Sequence, residues 1–322
     1  MKHQDATLIH VPYNFSYANA AARTGAVGFV AGDLGKFARQ TDDNSIWMLT
    51  ATTPTWVQVG GGAPSGAAGG VLSGTYPNPG FSTDSLGGWF AAGETWTFGA
   101  ADAPSYTITI AGVDVTAKYT IGTKLRMTHA AATKYFIVTK TAFSTDTTLT
   151  LYGGTDYTLA ATAITNPFYS RDRAPVGFPM DPTKWTVFVA DTTSVSQATP
   201  TSGTWYNLGS LSITVPIGVW YLDWQANAQC NSTAAQTSAS QQTTLSTANN
   251  TESDTELSGM VILGSASGTL TIGSMQTRHK TLVLTAKQQY FLNAKTLHTN
   301  QNTINHRGDI AATVMRAICA YL

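Results

Sequence analysis

Val219-Trp220-Tyr221-Leu222-Asp223-Trp224-Gln225-Ala226 decides the fold of this chain. Trp220, Leu222, Trp224 and Ala226 recur at every second position, and the pattern continues through Ala228 and Cys230. Side chains alternate across a strand, so this run is a long β-strand with one apolar face, whereas a helix would repeat at about 3.6 residues. It opens at the turn Pro216-Ile217-Gly218, which separates it from Leu211-Ser212-Ile213-Thr214-Val215 and from Trp205-Tyr206-Asn207-Leu208 before that. Downstream, Met260 to Leu263, Thr269 to Ile272, Lys280 to Leu284, Gln289 to Ala294 and Ala311 to Leu322 have the same short, β-rich character. About eight strands joined by turns close naturally as a jelly-roll sandwich, expected over residues 181–322.

The last of these strands is apolar on both sides. Met315, Ala317, Cys319 and Tyr321 fall on one face, and Val314, Ile318, Ala320 and Leu322 on the other. A strand in a monomeric sandwich needs only one buried face. The second face calls for a neighbour, and a homotrimer is expected with Val314, Met315, Ile318, Tyr321 and Leu322 at its interface.

Upstream, period-two runs recur at Trp96-Thr97-Phe98, Tyr106 to Ile110, Lys124 to Thr128, Lys134 to Thr139 and Thr147 to Tyr152. Their spacing predicts a small antiparallel barrel or sandwich over residues 85–180. Residues 1–60 predict a smaller β module. Ala20 to Arg23 forms a helical turn, and Asp33 to Lys36 turns into Phe37 to Gln40. Asp42-Asp43-Asn44 turns into Ser45 to Thr50, and Thr55 to Val59 supplies a partner. Trp47 and Trp56 belong to its core or interface. A module this small has a thin core and gains from oligomerisation. The chain is therefore expected to be all-β.

Between these parts, residues 61–84 are rich in Gly and Pro. Tyr76-Pro77-Asn78-Pro79 reads as a stiff extended peptide, because proline fixes its own φ and pushes the preceding residue towards extended geometry. The glycines before it, Gly60 to Gly62 and Gly69-Gly70, have linker composition. Gly70 to Pro79 resembles the G-x-L-S-G-x-Y-P-N-P element of fibre and spike proteins of tailed bacteriophages, with Gly74, Tyr76, Pro77 and Pro79 as its neck residues. Ala21 to Thr50, Thr147 to Ser170 and Pro175 to Trp185 resemble other modules of such proteins. Leu211 to Ala226, taken with Leu284 to Leu297, resembles trimeric jelly rolls of fibre tips and of complement or tumour-necrosis-factor type heads. The resemblance implies a trimeric tail fibre or spike anchored to other virion proteins by its N-terminal part and contacting a host-surface glycan or protein with its C-terminal part. A capsid head fibre or decoration protein is the alternative, and a polysaccharide-degrading tailspike a more distant one.

Only 11% of residues are charged, and 18 basic side chains balance 18 acidic ones. This argues against nucleic acid as the main partner, since phosphate recognition concentrates Lys and Arg. The first residues, Met1 to Asp5, lead into no apolar h-region, and no apolar run is long enough for a membrane-spanning helix. Synthesis in the host cytoplasm and residence on the virion surface are expected. Cys230 and Cys319 match no zinc spacing and read as small core residues. No catalytic motif or cofactor is read in the chain. His298 and His306 fall in a polar segment, Leu297 to Arg307, expected to be an exposed loop without metal. Asp254 and Glu256 read as a solvated loop tip rather than a glycosidase pair. Asn227 to Ser258 is expected to be surface loop and strand edge. Trp205 and Tyr206 are the expected glycan contacts, since an aromatic ring stacks on a sugar face.

Overall fold

The computed structural model of the chain describes residues 13–59, 66–69, 72–76, 79–235, 239–262, 268, 270–300 and 303–322. The protein is all-β, with two short α-helices among these residues. The chain divides into two compact units, 1–86 and 87–322.

In the first unit, β1 (Phe15–Tyr17), β2 (Phe37–Gln40), β3 (Ile46–Ala51) and β4 (Thr55–Gln58) pair in that order, with β1 parallel to β2 and the rest antiparallel. The expected helical turn is α1 (Ala20–Thr24), capped by the Asn19 side chain, which accepts the Ala22 N–H at 2.9 Å. Asp43 closes the β2–β3 turn by accepting the Ser45 N–H at 2.9 Å. The core is small, as a module of this length dictates: Ala38, Leu49 and Trp56, with Phe15, Phe29 and Trp47 against them. Arg23 is buried, its guanidinium 3.4 Å from the Trp47 ring centroid and its Nε donating to Gln40 at 3.0 Å.

In the Gly/Pro strip, the residues flanking Tyr76 to Pro79 pair with one another. β5 (Leu72–Ser73) pairs antiparallel with β6 (Gly80–Phe81), so the chain folds back. Gly74 permits this with φ +86°, a conformation that costs other residues strain. The Gly74 carbonyl accepts the Ala68 N–H at 3.0 Å, and the Tyr76 N–H reaches the Gly66 carbonyl at 3.0 Å. Met1 to Asp5, Gly60 to Gly62, Gly70, Pro77 and Asn78 lie outside the described residues. The unit ends with α2 (Thr83–Leu86).

The second unit holds three sheets. Its first part contains β7 (Phe90–Ala91), β8 (Thr97–Asp102), β9 (Ser105–Ile110), β10 (Lys124–His129), β11 (Ala132–Phe143), β12 (Thr147–Tyr152) and β13 (Ile164–Ser170). They form one antiparallel sheet in the order β7-β13-β10-β11-β12-β9-β8, over a core that includes Trp96, Ile108, Tyr119, Leu125, Phe136 and Leu149.

The second part adds β14 (Thr186–Asp191), β15 (Ser194–Ala198), β16 (Trp205–Val215), β17 (Gly218–Ser232), β18 (Ala239–Ser246), β19 (Ser258–Ile262), β20 (Leu270–Leu284), β21 (Gln288–His298), β22 (Thr303–Arg307) and β23 (Thr313–Cys319). One sheet runs β14-β23-β17-β20, with β22 and β15 continuing beside β17; the facing sheet runs β16-β21-β18-β19. From β16 to β18, and again from β19 to β21, the chain crosses between sheets at each step, which is jelly-roll connectivity. On β17, Trp220, Leu222, Trp224, Ala226, Ala228 and Cys230 are all buried, as their alternation requires. The two runs read at Trp205 and Leu211 are one strand carrying a bulge between Asn207 and Ser212. Gly209 (φ +68°) occupies that bulge, and a Cβ there would lie 2.6 Å from Val195.

Two expectations are corrected. Asn227 to Ser258 is not only loop and edge: β17 extends to Ser232, and β18 is an interior strand between β21 and β19. Nor is Leu297 to Arg307 simply an exposed loop, because β22 lies within it and His306 is fully buried. Both segments place polar side chains inward, which hides them from a reading based on apolar alternation.

The sandwich and the seven-stranded sheet share one apolar cluster. Trp89, Ile137, Tyr152, Phe178 and Trp185 pack with Trp220, Leu222, Trp224, Leu292 and Met315. Tyr152 meets Trp220 edge-on, centroids 4.9 Å apart, and Phe178 stacks on Trp185 at 5.0 Å. Cys230 and Cys319 are both buried, and neither is in a disulfide.

Candidate functional site

The outer face of the β14-β23-β17-β20 sheet is a surface that the fold leaves partly apolar. Strand register aligns Thr186, Ile318, Tyr221 and Thr281 in one row, and Phe188, Arg316, Asp223 and His279 in the next. Paired residues project to the same side of a sheet. Phe188 and Tyr221 are more than half exposed, at 58% and 54%, and Val283 on the adjoining β20 is 75% exposed. Beside them, Phe188, Ile318, Arg316, Thr186 and Pro182 line a groove of about 540 Å³. Arg316 and Asp223 form an ion pair at 3.0 Å within the second row. The face is thus apolar with one internal charge pair, a pattern of protein interfaces rather than of solvated sheet.

The residues expected at the trimer interface separate. Val314 and Ile318 lie on this outer face and are half-buried. Met315 lies on the opposite side, inside the shared core and 1% exposed. The Tyr321 hydroxyl accepts the Val219 N–H at 3.0 Å, and a main-chain oxygen of Leu322 accepts Arg173 Nε at 2.9 Å.

Trp205 is half-buried at the start of β16, with the Lys295 ammonium 4.5 Å from its ring centroid. The Tyr206 hydroxyl accepts the Thr201 N–H at 2.9 Å, and hydrogen bonding by the Thr201 side chain first and its N–H second holds the phenol below its ordinary pKa. The neighbouring loop is fixed by a residue that sequence reading passed over. Asn293, fully buried on β21, donates to the carbonyls of Ala248 (3.0 Å) and Thr251 (2.7 Å) and accepts the Asn250 N–H at 3.2 Å. Its only signal was an amide inside the run Tyr290-Phe291-Leu292-Asn293-Ala294. Asn250 Oδ1 in turn accepts the Asn207 N–H at 2.7 Å, so the loop and β16 form one ordered polar surface.

Asp254 and Glu256 both pair with Lys280, Asp254 at 2.6 Å, and these hydrogen bonds, Asp254 first, raise the lysine pKa. They share one cation instead of facing each other across a cleft. His298 and His306 do not converge on a metal. Among the described residues, no three His, Cys, Asp or Glu side chains form a metal-holding group. No described helix is long and apolar enough to cross a membrane.

Inside the sandwich, away from the shared core, buried polar side chains lie beside a small second apolar cluster of Leu208, Cys230, Ala294 and Ile304. Gln241, Thr243, Thr296 and His306 are buried there, beside small residues of β17, Ala226 and Ala228. His306 Nε2 lies 3.3 Å from the Thr243 hydroxyl, and Gln241 Nε2 donates to the Asn305 carbonyl at 3.3 Å. Burial pushes the His306 pKa down to about 4.

The fold and surface define an all-β jelly-roll protein with a partly apolar sheet face. No family model and no curated protein matches the chain. Among solved structures, it is similar to that of infectious bursal disease virus, Gx strain, with TM-score 0.26 and 10% identity over 86% of this chain and 63% of that one. The VP2 subviral particle of the same virus gives TM-score 0.24 and 10% identity, covering 88% and 68%. Dimeric latent PorU from Porphyromonas gingivalis gives 0.23 and 9%, covering 71% and 24%. The chain thus spans 63% of the first of these proteins. Likeness at this level carries no argument about what the chain does.

Proposed function

We propose that this chain is a structural protein on the virion surface of a tailed bacteriophage, a homotrimeric fibre or spike that contributes to host attachment. Its 1–86 unit attaches to other virion proteins, and its jelly roll contacts a glycan or protein on the host. The observation that carries the reading is the joint occurrence of the G-x-L-S-G-x-Y-P-N-P element and a jelly-roll sheet whose outer face exposes Phe188 and Tyr221 beside Ile318 and Val314. In the trimer, these residues meet a second copy. The polar surface of Trp205, Tyr206 and the Asn250 loop supplies the host contact. Three copies of a weak contact give avidity that a single head lacks.

Light scattering and negative-stain images of the purified chain test this directly, with a trimer expected. Phe188→Glu combined with Ile318→Glu places repelling charge in the interface and shifts the mass to that of a monomer, while circular dichroism stays β-rich. A wild-type monomer at micromolar concentration overturns the trimer. Gold labelling of the N-terminus on virions then distinguishes tail from capsid; label on the head converts the reading to a head fibre or decoration protein. Release of reducing sugar from host polysaccharide would make it a tailspike enzyme instead.

A further inference from the structure

Lys124, Arg171 and Arg173 converge on a cavity of about 470 Å³ beside the start of β10. We propose that this cavity is an oxyanion subsite, binding a carboxylate or phosphate group through these three cations. The inference stands apart from the trimer and from the Trp205 surface.

The chain is sparing with charge, and elsewhere many of its cations are matched. Lys118 pairs with Glu94, Lys184 with Asp156, Lys280 with Asp254, Arg307 with Asp309 and Arg316 with Asp223. The three cations of this cavity form no ion pair with a side-chain carboxylate among the described residues. Asp172, between the two arginines in sequence, faces Gly88 and does not line the cavity.

Each cation instead meets main-chain oxygens. Lys124, only 4% exposed, donates to Gly122 at 3.2 Å and to Tyr321. Arg171 Nη2 donates to Ala117 at 2.8 Å and Lys118 at 3.2 Å, and Arg173 Nε to Leu322, the last residue of the sequence, at 2.9 Å. Even a full negative charge on that terminal group offsets one cation of the three. An ammonium has three N–H donors and a guanidinium five, so unused donors remain on both arginines and on the lysine. A buried charge whose hydrogen-bond acceptors are main-chain carbonyls, as those of Lys124 are, is incompletely compensated. Burial first, and the Arg173 charge as a smaller cause, lower the Lys124 pKa. An oxyanion relieves both causes, and guanidinium groups bind carboxylate and phosphate through paired N–H donors. The hydroxyls of Thr120 and Thr123, 3.4 Å apart on the same wall, add neutral donors.

The test is calorimetric titration of the full chain at low ionic strength with inorganic phosphate, with glucuronate and with glucose as the neutral control. The expected result is saturable binding of phosphate, glucuronate or both, none of glucose, and at least tenfold weaker binding by the Arg171→Gln, Arg173→Gln double variant. Both arginines are exposed, so the variant should keep the wild-type circular dichroism spectrum. Phosphate alone points to a phosphate ester or free phosphate as the natural ligand, and glucuronate to an acidic sugar. Failure of both anions to saturate, or equal affinity in the double variant, overturns the proposal.

Discussion

Replacing Trp224 with alanine is expected to remove about 3–5 kcal/mol of stability, the usual cost of deleting a large buried aromatic side chain. Trp224 is 0% exposed near the middle of β17, and its indole N–H donates to the Leu257 carbonyl at 2.9 Å. Loss of the ring leaves a cavity between the sheets and strips that carbonyl of its partner. The ring also sets the approach of β19: a Cβ on Gly259 would come within 3.3 Å of it, so strand and ring are fitted to each other. Single domains are stable by roughly 5–15 kcal/mol, so the variant should sit near the edge of folding. Urea unfolding followed by tryptophan fluorescence reads the change as a lowered midpoint at similar slope. Gln225→Ala, one residue along on the exposed face, is the control, with an expected change within about 0.5 kcal/mol. A loss below about 1 kcal/mol for Trp224→Ala would mean that the interior is not packed around this ring.

Acid should weaken the protein through His306 before its carboxylates titrate. The residues around this imidazole are Thr243 and Gln241 on β18, Ala228 on β17 and Val195 on β15, none of them charged. Arg307 next to it turns away, to Asp309 and Gln229. His306 has a folded pKa of about 4, against roughly 6.5 in an unfolded chain. Above the unfolded value both states are neutral and the group is silent. As pH falls from about 6.5 to 4, the unfolded chain takes up a proton that the folded chain refuses, so stability drops by about 3 kcal/mol per chain and then levels. Urea midpoints of wild type and His306→Gln between pH 7 and 4 measure this. The variant should lose a clear part of the slope in that window, the rest including His298, whose pKa burial also lowers, and an unchanged slope would rule His306 out as a source. Asp33, Asp43, Asp114, Asp181 and Asp309, whose hydrogen bonds lower their pKa values, act at lower pH.

The same residue marks the limit of what the sequence displayed. Apolar alternation located β17 and β9 to β12, and the turn residues Asp42 to Asn44 located the β2–β3 hairpin, because burying one face of a strand leaves a period-two record. β18 and β22 left no such record. Their inward positions are mostly polar: Gln241 and Thr243 precede Leu245 on β18, and His306 follows Ile304 on β22, so each strand carries a single inward apolar residue in these positions and reads as surface. The terminal strand was legible as two-faced, but Met315 and Ile318 differ in role in a way that alternation alone does not reveal: one fills the sandwich and the other looks outward. The candidate site was hidden for a different reason. Phe188, Tyr221 and Ile318 come from three strands far apart in the chain, and only the pairing of β14, β23 and β17 brings them together. The cavity lined by Lys124 likewise draws the Arg171 and Arg173 pair from a distant segment.

The cluster that joins Trp89, Tyr152 and Trp185 to Trp220 governs where this molecule tolerates being cut. A recombinant head begun at residue 181 would leave Trp220 and Trp185 without Tyr152 and Phe178, exposing a large aromatic wound in water. Residue 87, by contrast, begins the second compact unit, which holds the whole cluster. Any engineered transplant of the jelly roll therefore has to carry the seven-stranded sheet with it.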